Sequence, residues 1–286
     1  MIKVAIITDS TAYIPEAMLH DLPVYIVPLQ VIFGDQIYED GINIQPNEFY
    51  TRLQTSKINP STSQATPAFF KQMYLHLLDE GYDILNIVIS SKLSGTLDSA
   101  QQAVREFPGA PIEIVDSLSA SMALGFQVLT VAKAAAKGAS LNECKALAEI
   151  VKERTGALFT VSTLEYLYRG GRIGGASAFL GTALDLKPVL ELREGKIEPI
   201  DRVRTLSKAI NKLVDLLVER TDGHKNIQVA CVHAKAQKDA ALLLEKVKMR
   251  FPDGSITTEV LSEVSPVIGT HTGPGTLGIT YMLGLN

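Results

Sequence analysis

Hydroxyl side chains collect at four points of this sequence: Thr8-Asp9-Ser10-Thr11, Ser61-Thr62-Ser63, Ser90-Ser91 with Ser94-Gly95-Thr96, and Asp116-Ser117. The third point is the most pointed. It joins an apolar run at 84–89, five of whose six residues are branched aliphatics, to a helix-like run at 97–107. A parallel strand that feeds a helix puts such a junction at the carboxyl edge of its sheet, where free backbone N–H groups favour an anion. Ser94, Gly95 and Thr96 thus read as an oxyanion seat. The plain alternative is an N-cap, the commonest use of Ser or Thr before a helix. Hydroxyls grouped without a lysine, a cysteine or a carboxylate pair suit hydrogen bonding to a small polar head group better than hydrolysis.

His271 stands in Gly-Thr-His-Thr-Gly-Pro-Gly, where glycines let backbone approach a neighbour closely. It is either a ligand-facing imidazole or a turn residue. Arg169 and Arg172 flank Gly170-Gly171, and Arg202 and Arg204 follow a strand-like run. Together they form a basic patch for an acidic partner, or solvated charge at element ends. Ser94, Asp116 and His271 supply the residue types of a hydrolytic triad, but Leu-Ser-Gly-Thr lacks the G-x-S-x-G elbow that exposes a nucleophile. No G-x-G-x-x-G follows the first strand, and there is no Walker sequence.

The elements that must position these residues alternate. Strand-like runs at 2–7, 84–89 and 112–115 alternate with helical runs at 15–20, 67–80, 97–107, 120–137 and 141–154, which predicts an α/β layer with a parallel sheet. Residues 24–33 and 36–39 read as a hairpin about Gly34-Asp35, residues 47–54 as a helix, and residues 59–67 as a hydroxyl-rich loop. Beyond residue 155 come a strand at 157–161 and a hairpin of 187–192 with 196–203 about Glu194-Gly195. A helix at 205–220, a strand at 227–232, a helix at 236–250 and a strand at 256–261 follow. Residues 265–283 read as strand, glycine-rich turn and strand. The expectation is two domains, 1–155 with a parallel α/β/α layer and 156–286 with a second α/β layer and a mixed sheet.

Composition narrows the classes. The 286 residues, 46% hydrophobic and 20% charged, describe a globular chain. A net charge of −4 without a Lys/Arg-rich run argues against nucleic acid as a partner. Cys144 and Cys231 are the only cysteines and read as a reduced, cytoplasmic pair. No histidine pair or CxxC supports a metal, and neither a signal peptide nor a run of eighteen apolar residues is visible.

Taken together, Asp9-Ser10-Thr11, Thr62-Ser63-Gln64, Ser91-Lys92-Leu93-Ser94-Gly95-Thr96, Asp116-Ser117, Tyr166-Leu167-Tyr168-Arg169-Gly170-Gly171-Arg172-Ile173 and His271-Thr272-Gly273-Pro274-Gly275 resemble the DegV family of bacterial lipid-binding proteins. The resemblance runs from the first strand to the last turn. It implies a two-domain protein, without a cofactor, that holds one long-chain fatty acid such as palmitate between its domains. The family's carboxylate-binding Thr and Ser fall on Thr62 and Ser94, and its histidine on His271. Ser63, Gly95 and Thr96 complete the expected ligand-binding set. Some members are the acyl-binding subunit of fatty acid kinase, presenting the carboxylate to a separate ATP-binding subunit, with transient membrane contact. The docking residues would then be Arg172 and Arg202 or Arg204.

The physics of such a ligand is lopsided. At about 0.8 kcal/mol per buried CH₂, a sixteen-carbon chain contributes on the order of 10 kcal/mol of gross transfer energy, against about 1–3 kcal/mol for each head-group hydrogen bond. The tail gives the affinity and the hydroxyls give the orientation. Tunnel walls are expected at 158–167 and at 176–186, where Gly175, Ala176, Ala178, Gly181 and Ala183 leave room, as they would for ordinary helix packing. Two other readings remain open: an ester hydrolase using Ser94 and His271, and, from a likeness to dihydroxyacetone-kinase subunits, a small-carbonyl-binding kinase subunit using His271.

Overall fold

The structure, a computed structural model, describes residues 3–181 and 186–285. In chain order the first part comprises β1 (Lys3–Asp9), β2 (Val24–Val27), β3 (Gln30–Phe33), β4 (Gln36–Glu39), α1 (Pro46–Thr55), β5 (Ser61–Ser63), α2 (Pro67–Asp79), β6 (Tyr82–Val88), α3 (Thr96–Val104), β7 (Ile112–Asp116), α4 (Ser121–Ala136) and α5 (Leu141–Lys152). The second comprises β8 (Thr155–Thr160), α6 (Glu165–Arg169), β9 (Lys187–Arg193), β10 (Lys196–Val203), α7 (Leu206–Arg220), β11 (Ile227–His233), α8 (Gln237–Arg250), β12 (Ile256–Glu263), α9 (Pro266–Thr272) and β13 (Leu277–Met282). Ile2 of the first expected strand lies outside the described residues.

Three sheets result. A fully parallel sheet has the order β2-β1-β6-β7, and a mixed sheet the order β10-β9-β8-β13-β11-β12, in which only β11 and β12 run parallel. The run at 84–88 is buried throughout, so the parallel sheet is covered on both faces, as a strand without polar alternation requires. Helices α7 and α8 cover one face of the mixed sheet. Its other face turns toward the parallel layer, and α4 lies between the two sheets, touching β1 and β6 on one side and β8, β11 and β13 on the other. That position explains the composition of α4. Its sequence, SMALGFQVLTVAKAAA, is apolar nearly all round because both flanks are buried. At 16 residues it is short of a bilayer span, and no helix among the described residues is long and apolar enough to cross a membrane.

The third sheet, β4-β3-β5, corrects two expectations. Residues 24–33 are not one strand: the chain breaks at Pro28, leaving β2 in the parallel sheet and β3 in the small antiparallel sheet. The hydroxyl-rich segment is partly a strand, with Thr62 paired opposite Val31. A third correction concerns the C-terminal motif. Pro266–Thr272 is a helix rather than a strand, because Ser265 accepts the Ile268 N–H at 3.3 Å as its N-cap and Pro266 occupies the first turn. The β-branched threonines are accommodated by hydroxyls that turn back onto the helix, Thr270 to the Pro266 carbonyl and Thr272 to that of Ile268.

Candidate functional site

Four elements meet where β5, the loop before α3, the loop after α6 and the helix α9 converge. Thr62 Oγ1 lies 2.8 Å from His271 Nε2. Burial first, and then the Arg172 charge, lower the His271 pKa to about 4, so the ring is neutral at physiological pH. A neutral imidazole carries one N–H. Nδ1 is buried without a partner among the described residues, packed against Gly170 so tightly that a Cβ there would stand 2.0 Å away. An unpaired acceptor is tolerated in an interior more readily than an unpaired N–H, which places the proton on Nε2. His271 therefore donates to Thr62, and the Thr62 hydroxyl hydrogen is free to donate elsewhere.

Ser94 is arranged in a similar way. Its Oγ accepts the Thr96 N–H at 3.3 Å and lies 2.9 Å from Thr96 Oγ1. Either hydroxyl can donate in that contact, and where Thr96 donates the Ser94 hydroxyl hydrogen is left over. The N-cap of α3 is Gly95 rather than Ser94, and no side chain caps the helix, which corrects the capping reading of Ser94. Gly95 admits the Gln64 side chain, whose Oε1 would be 2.1 Å from a Cβ, and Gln64 Nε2 donates to Ser99 Oγ at 2.9 Å. Arg172 ties the two halves together: Nε donates to the Leu93 carbonyl at 2.9 Å and Nη1 to that of Gly170 at 2.6 Å. One guanidinium so fixes the neighbour of Ser94 and the residue against which His271 packs.

This corner opens into a cavity of about 290 Å³ between the parallel layer and the free face of the mixed sheet. Leu29, Ile89, Leu93, Phe159, Leu192 and Val267 are among its walls. A single water needs only about 10–15 Å³ of such volume, so the space is a chamber rather than a packing defect. A second cleft of similar size lies outside it, bordered by Asn59, Ser61, Tyr166 and Arg169. The two share Thr62, Arg172 and His271. The corner therefore borders both spaces.

The structure brings together Thr62, Ser63, Ser94, Arg172 and His271 at the chamber. Thr96 stands behind Ser94 and Gly95 beside Gln64. Arg202 and Arg204 are exposed and lie away from the chamber, with the Arg202 guanidinium 5.6 Å from the Phe179 ring centre. The expected tunnel walls are met only in part. Leu158, Phe159 and Leu167 line the chamber, but Ala176 does not and is buried behind Leu167 and Ile197, which do, and Gly174 lies against the backbone of Ile197. Ala183 lies outside the described residues. Gly170, Gln64, Ser121 and Thr280 were not singled out from residue type alone. For Gly170 the signal was present, in a glycine pair beside an arginine.

The triad does not assemble. Asp116 accepts the N–H groups of Ser91 at 3.2 Å and Leu118 at 3.0 Å, and the Ser94 hydroxyl is paired with Thr96 rather than with His271. Among the described residues no carboxylate pairs with His271 Nδ1, the partner that a triad imidazole has. Cys144 and Cys231 are both free and buried, and burial pushes the Cys231 thiol up to about 12, which leaves it protonated.

Residues 3–283 match the family model described as an uncharacterised protein, DegV family. The chain belongs to the DegV family. It is 41% identical over 278 residues to the DegV domain-containing protein SCO2569 of Streptomyces coelicolor, covering 96% of this chain and 97% of that one. Among solved structures, it is similar to the DegV family protein of Thermus thermophilus, described by its fatty acid binding, with a TM-score of 0.93 and 36% identity over 99% of this chain and 100% of the other. DegV of Bacillus subtilis, described as a fatty acid binding protein, superposes with a TM-score of 0.88 at 32% identity, again over 99% and 100%. Family structures bind fatty acids, and the α/β architecture with one parallel and one mixed sheet is shared.

Proposed function

We propose that this protein binds one long-chain fatty acid, such as palmitate, with its tail in the chamber and its carboxylate at the Thr62–Ser94 corner. The observation that carries this reading is a chamber with largely apolar walls that ends at two hydroxyls, Thr62 and Ser94, each in contact with a supporting neighbour. A carboxylate oxygen accepts the Thr62 hydroxyl while His271 supports it from behind, and a carboxylate oxygen accepts from Ser94. Ser63, Gly95 and Thr96 shape the seat. The two domains, divided near residue 155, contribute opposite walls. On its own the protein is catalytically inert.

The same corner faces the outer cleft, which supports a presenting role. A carboxylate held there has an oxygen directed outward, able to attack the terminal phosphoryl group of ATP on a separate kinase subunit. An acyl phosphate forms and ADP leaves. Arg172, Arg202 and Arg204 are the proposed docking cations for that subunit, and the setting is cytoplasmic. The test is head-group discrimination. Hexadecanoate should bind at least tenfold more tightly than hexadecanol, which cannot accept both hydrogen bonds as an anion does, and Thr62→Ala with Ser94→Ala should erase that ratio. Equal binding of acid and alcohol by the native protein would refute the head-group assignment.

A further inference from the structure

Away from its polar corner, the chamber wall contains four more hydroxyls. Two are satisfied: Thr272 donates to the Ile268 carbonyl, and Thr276 to those of Thr272 and Gly273. The other two, Ser121 Oγ and Thr280 Oγ1, are buried and have no hydrogen-bond partner among the described residues. Neither residue borders the outer cleft.

Their settings are independent of each other. Thr280 is only 2% exposed and sits at the middle of the mixed sheet, paired with Ala157 on one side and Ala230 on the other, on the face that turns toward α4. Valine has the same shape there and no hydrogen bond to lose, so an unpaired threonine is the costlier choice by about 1–3 kcal/mol. Ser121 opens α4 with φ at +55°, a region that side chains other than glycine, asparagine and aspartate seldom occupy. The preceding Ala120 offers no side-chain cap, so nothing local uses the Ser121 hydroxyl. Two unmet hydroxyls, one from each layer, therefore line a chamber whose other walls suit methylene groups.

We propose that Ser121 and Thr280 form a second polar subsite that takes an oxygen substituent along the acyl chain, making a hydroxylated long-chain fatty acid the preferred ligand class. The inference rests on the fatty-acid reading of the chamber. A hydroxyl on the chain both donates and accepts, so it can pair with either side chain. An unsubstituted chain leaves them unpaired against hydrocarbon. Discrimination of about tenfold is expected from exchanging unmet for met hydrogen bonds.

The experiment is a competition on delipidated protein between hexadecanoate and a series of hydroxyhexadecanoates substituted at successive carbons, with bound lipid extracted and quantified by mass spectrometry. One narrow range of hydroxyl positions should outcompete the plain chain about tenfold. Thr280→Val, which keeps the shape, should tighten the plain chain, weaken the hydroxylated one and so reverse the preference; Ser121→Ala should move the ratio the same way. Preference for the plain chain over every isomer in the native protein overturns the subsite, as does a preference that survives both substitutions. Failure of hexadecanoate itself to bind overturns the fatty-acid reading and the subsite with it, whereas good hexadecanoate binding without isomer preference removes the subsite alone.

Discussion

The carboxyl edge of the parallel sheet and the corner beside α9 are made from the same residue types, yet their hydrogen bonding differs. At the sheet edge most of it is used up, with Thr8 Oγ1 and Asp40 Oδ1 the exceptions among the described residues. Asp9 accepts Thr11 N–H at 3.0 Å, the Thr11 hydroxyl and Ile89 N–H at 2.6 Å; Ser10 donates to Asp40 at 2.9 Å and accepts Leu29 N–H; Ser117 closes a turn with Ser119. These groups hold loops together and have little left for a ligand. At the corner, Thr62 and Ser94 are each supported by one neighbour, His271 and Thr96, and both border the chamber. A cluster of hydroxyls marks a site only where hydrogen-bonding capacity is left over.

The sharpest way to break this comparison is to exchange the roles of the two regions in the same assay. Asp9→Ala removes the acceptor of several buried donors and should lower folding stability by several kcal/mol in denaturant unfolding. Its residual folded fraction should keep the acid-over-alcohol preference. Thr62→Ala with Ser94→Ala should do the reverse, costing less folding free energy than Asp9→Ala while removing the acid-over-alcohol preference. Comparable effects of both variants on both readouts would erase the distinction.

A titration sharpens it further. Burial raises the Asp40 pKa to about 7, so the folded state holds a proton that the unfolded carboxyl releases near 4. Between those values the native state binds more protons than the unfolded one, and stability must fall as pH rises from about 4 to about 7. The fall should amount to a few kcal/mol at most, and Asp40→Asn should flatten it. His271 works in the opposite sense. Its pKa is lowered to about 4, so its contribution is lost as pH drops from about 6.5 toward 4. Unfolding free energies of the native protein and Asp40→Asn, measured across this range, separate the two slopes; an unchanged profile in the variant would count against the buried-carboxyl account.

The smallest effect is expected at Gly170. A methyl group there would press on His271 Nδ1, so Gly170→Ala should tilt the imidazole away from Thr62 and weaken acid binding by about tenfold, with little change for hexadecanol. Equal loss for acid and alcohol would mean that the substitution acts on the chamber rather than on the corner.

Much of this was legible in the sequence where one local rule decides. The run at 84–89, with no polar alternation, had to be a strand covered on both faces, and the Glu194-Gly195 hairpin followed from its turn residues. The α9 segment was misread because Val, Ile and Thr favour strands, while the Ser-Pro start that overrides them is only two residues long. Thr62 was read as a loop residue since a three-residue strand carries no period. The hydroxyl clusters at Asp9 and at Thr62 could not be ranked from residue type, because what separates them is a count of hydrogen-bond partners set by distant segments. The resemblance across the whole chain singled out Thr62, Ser94 and His271 for that reason: motifs preserve the outcome of tertiary contacts that local rules cannot compute. For Ser121 and Thr280 neither route was available, since an unmet hydroxyl becomes visible only once its surroundings are in place.

The most direct test of the central claim is mass spectrometry of an organic extract from the purified, then denatured, protein beside a matched unrelated control. The account predicts one fatty acid per chain, whose length reports the depth of the chamber. Protein that yields no fatty acid, and that takes up none when it is supplied, would contradict it.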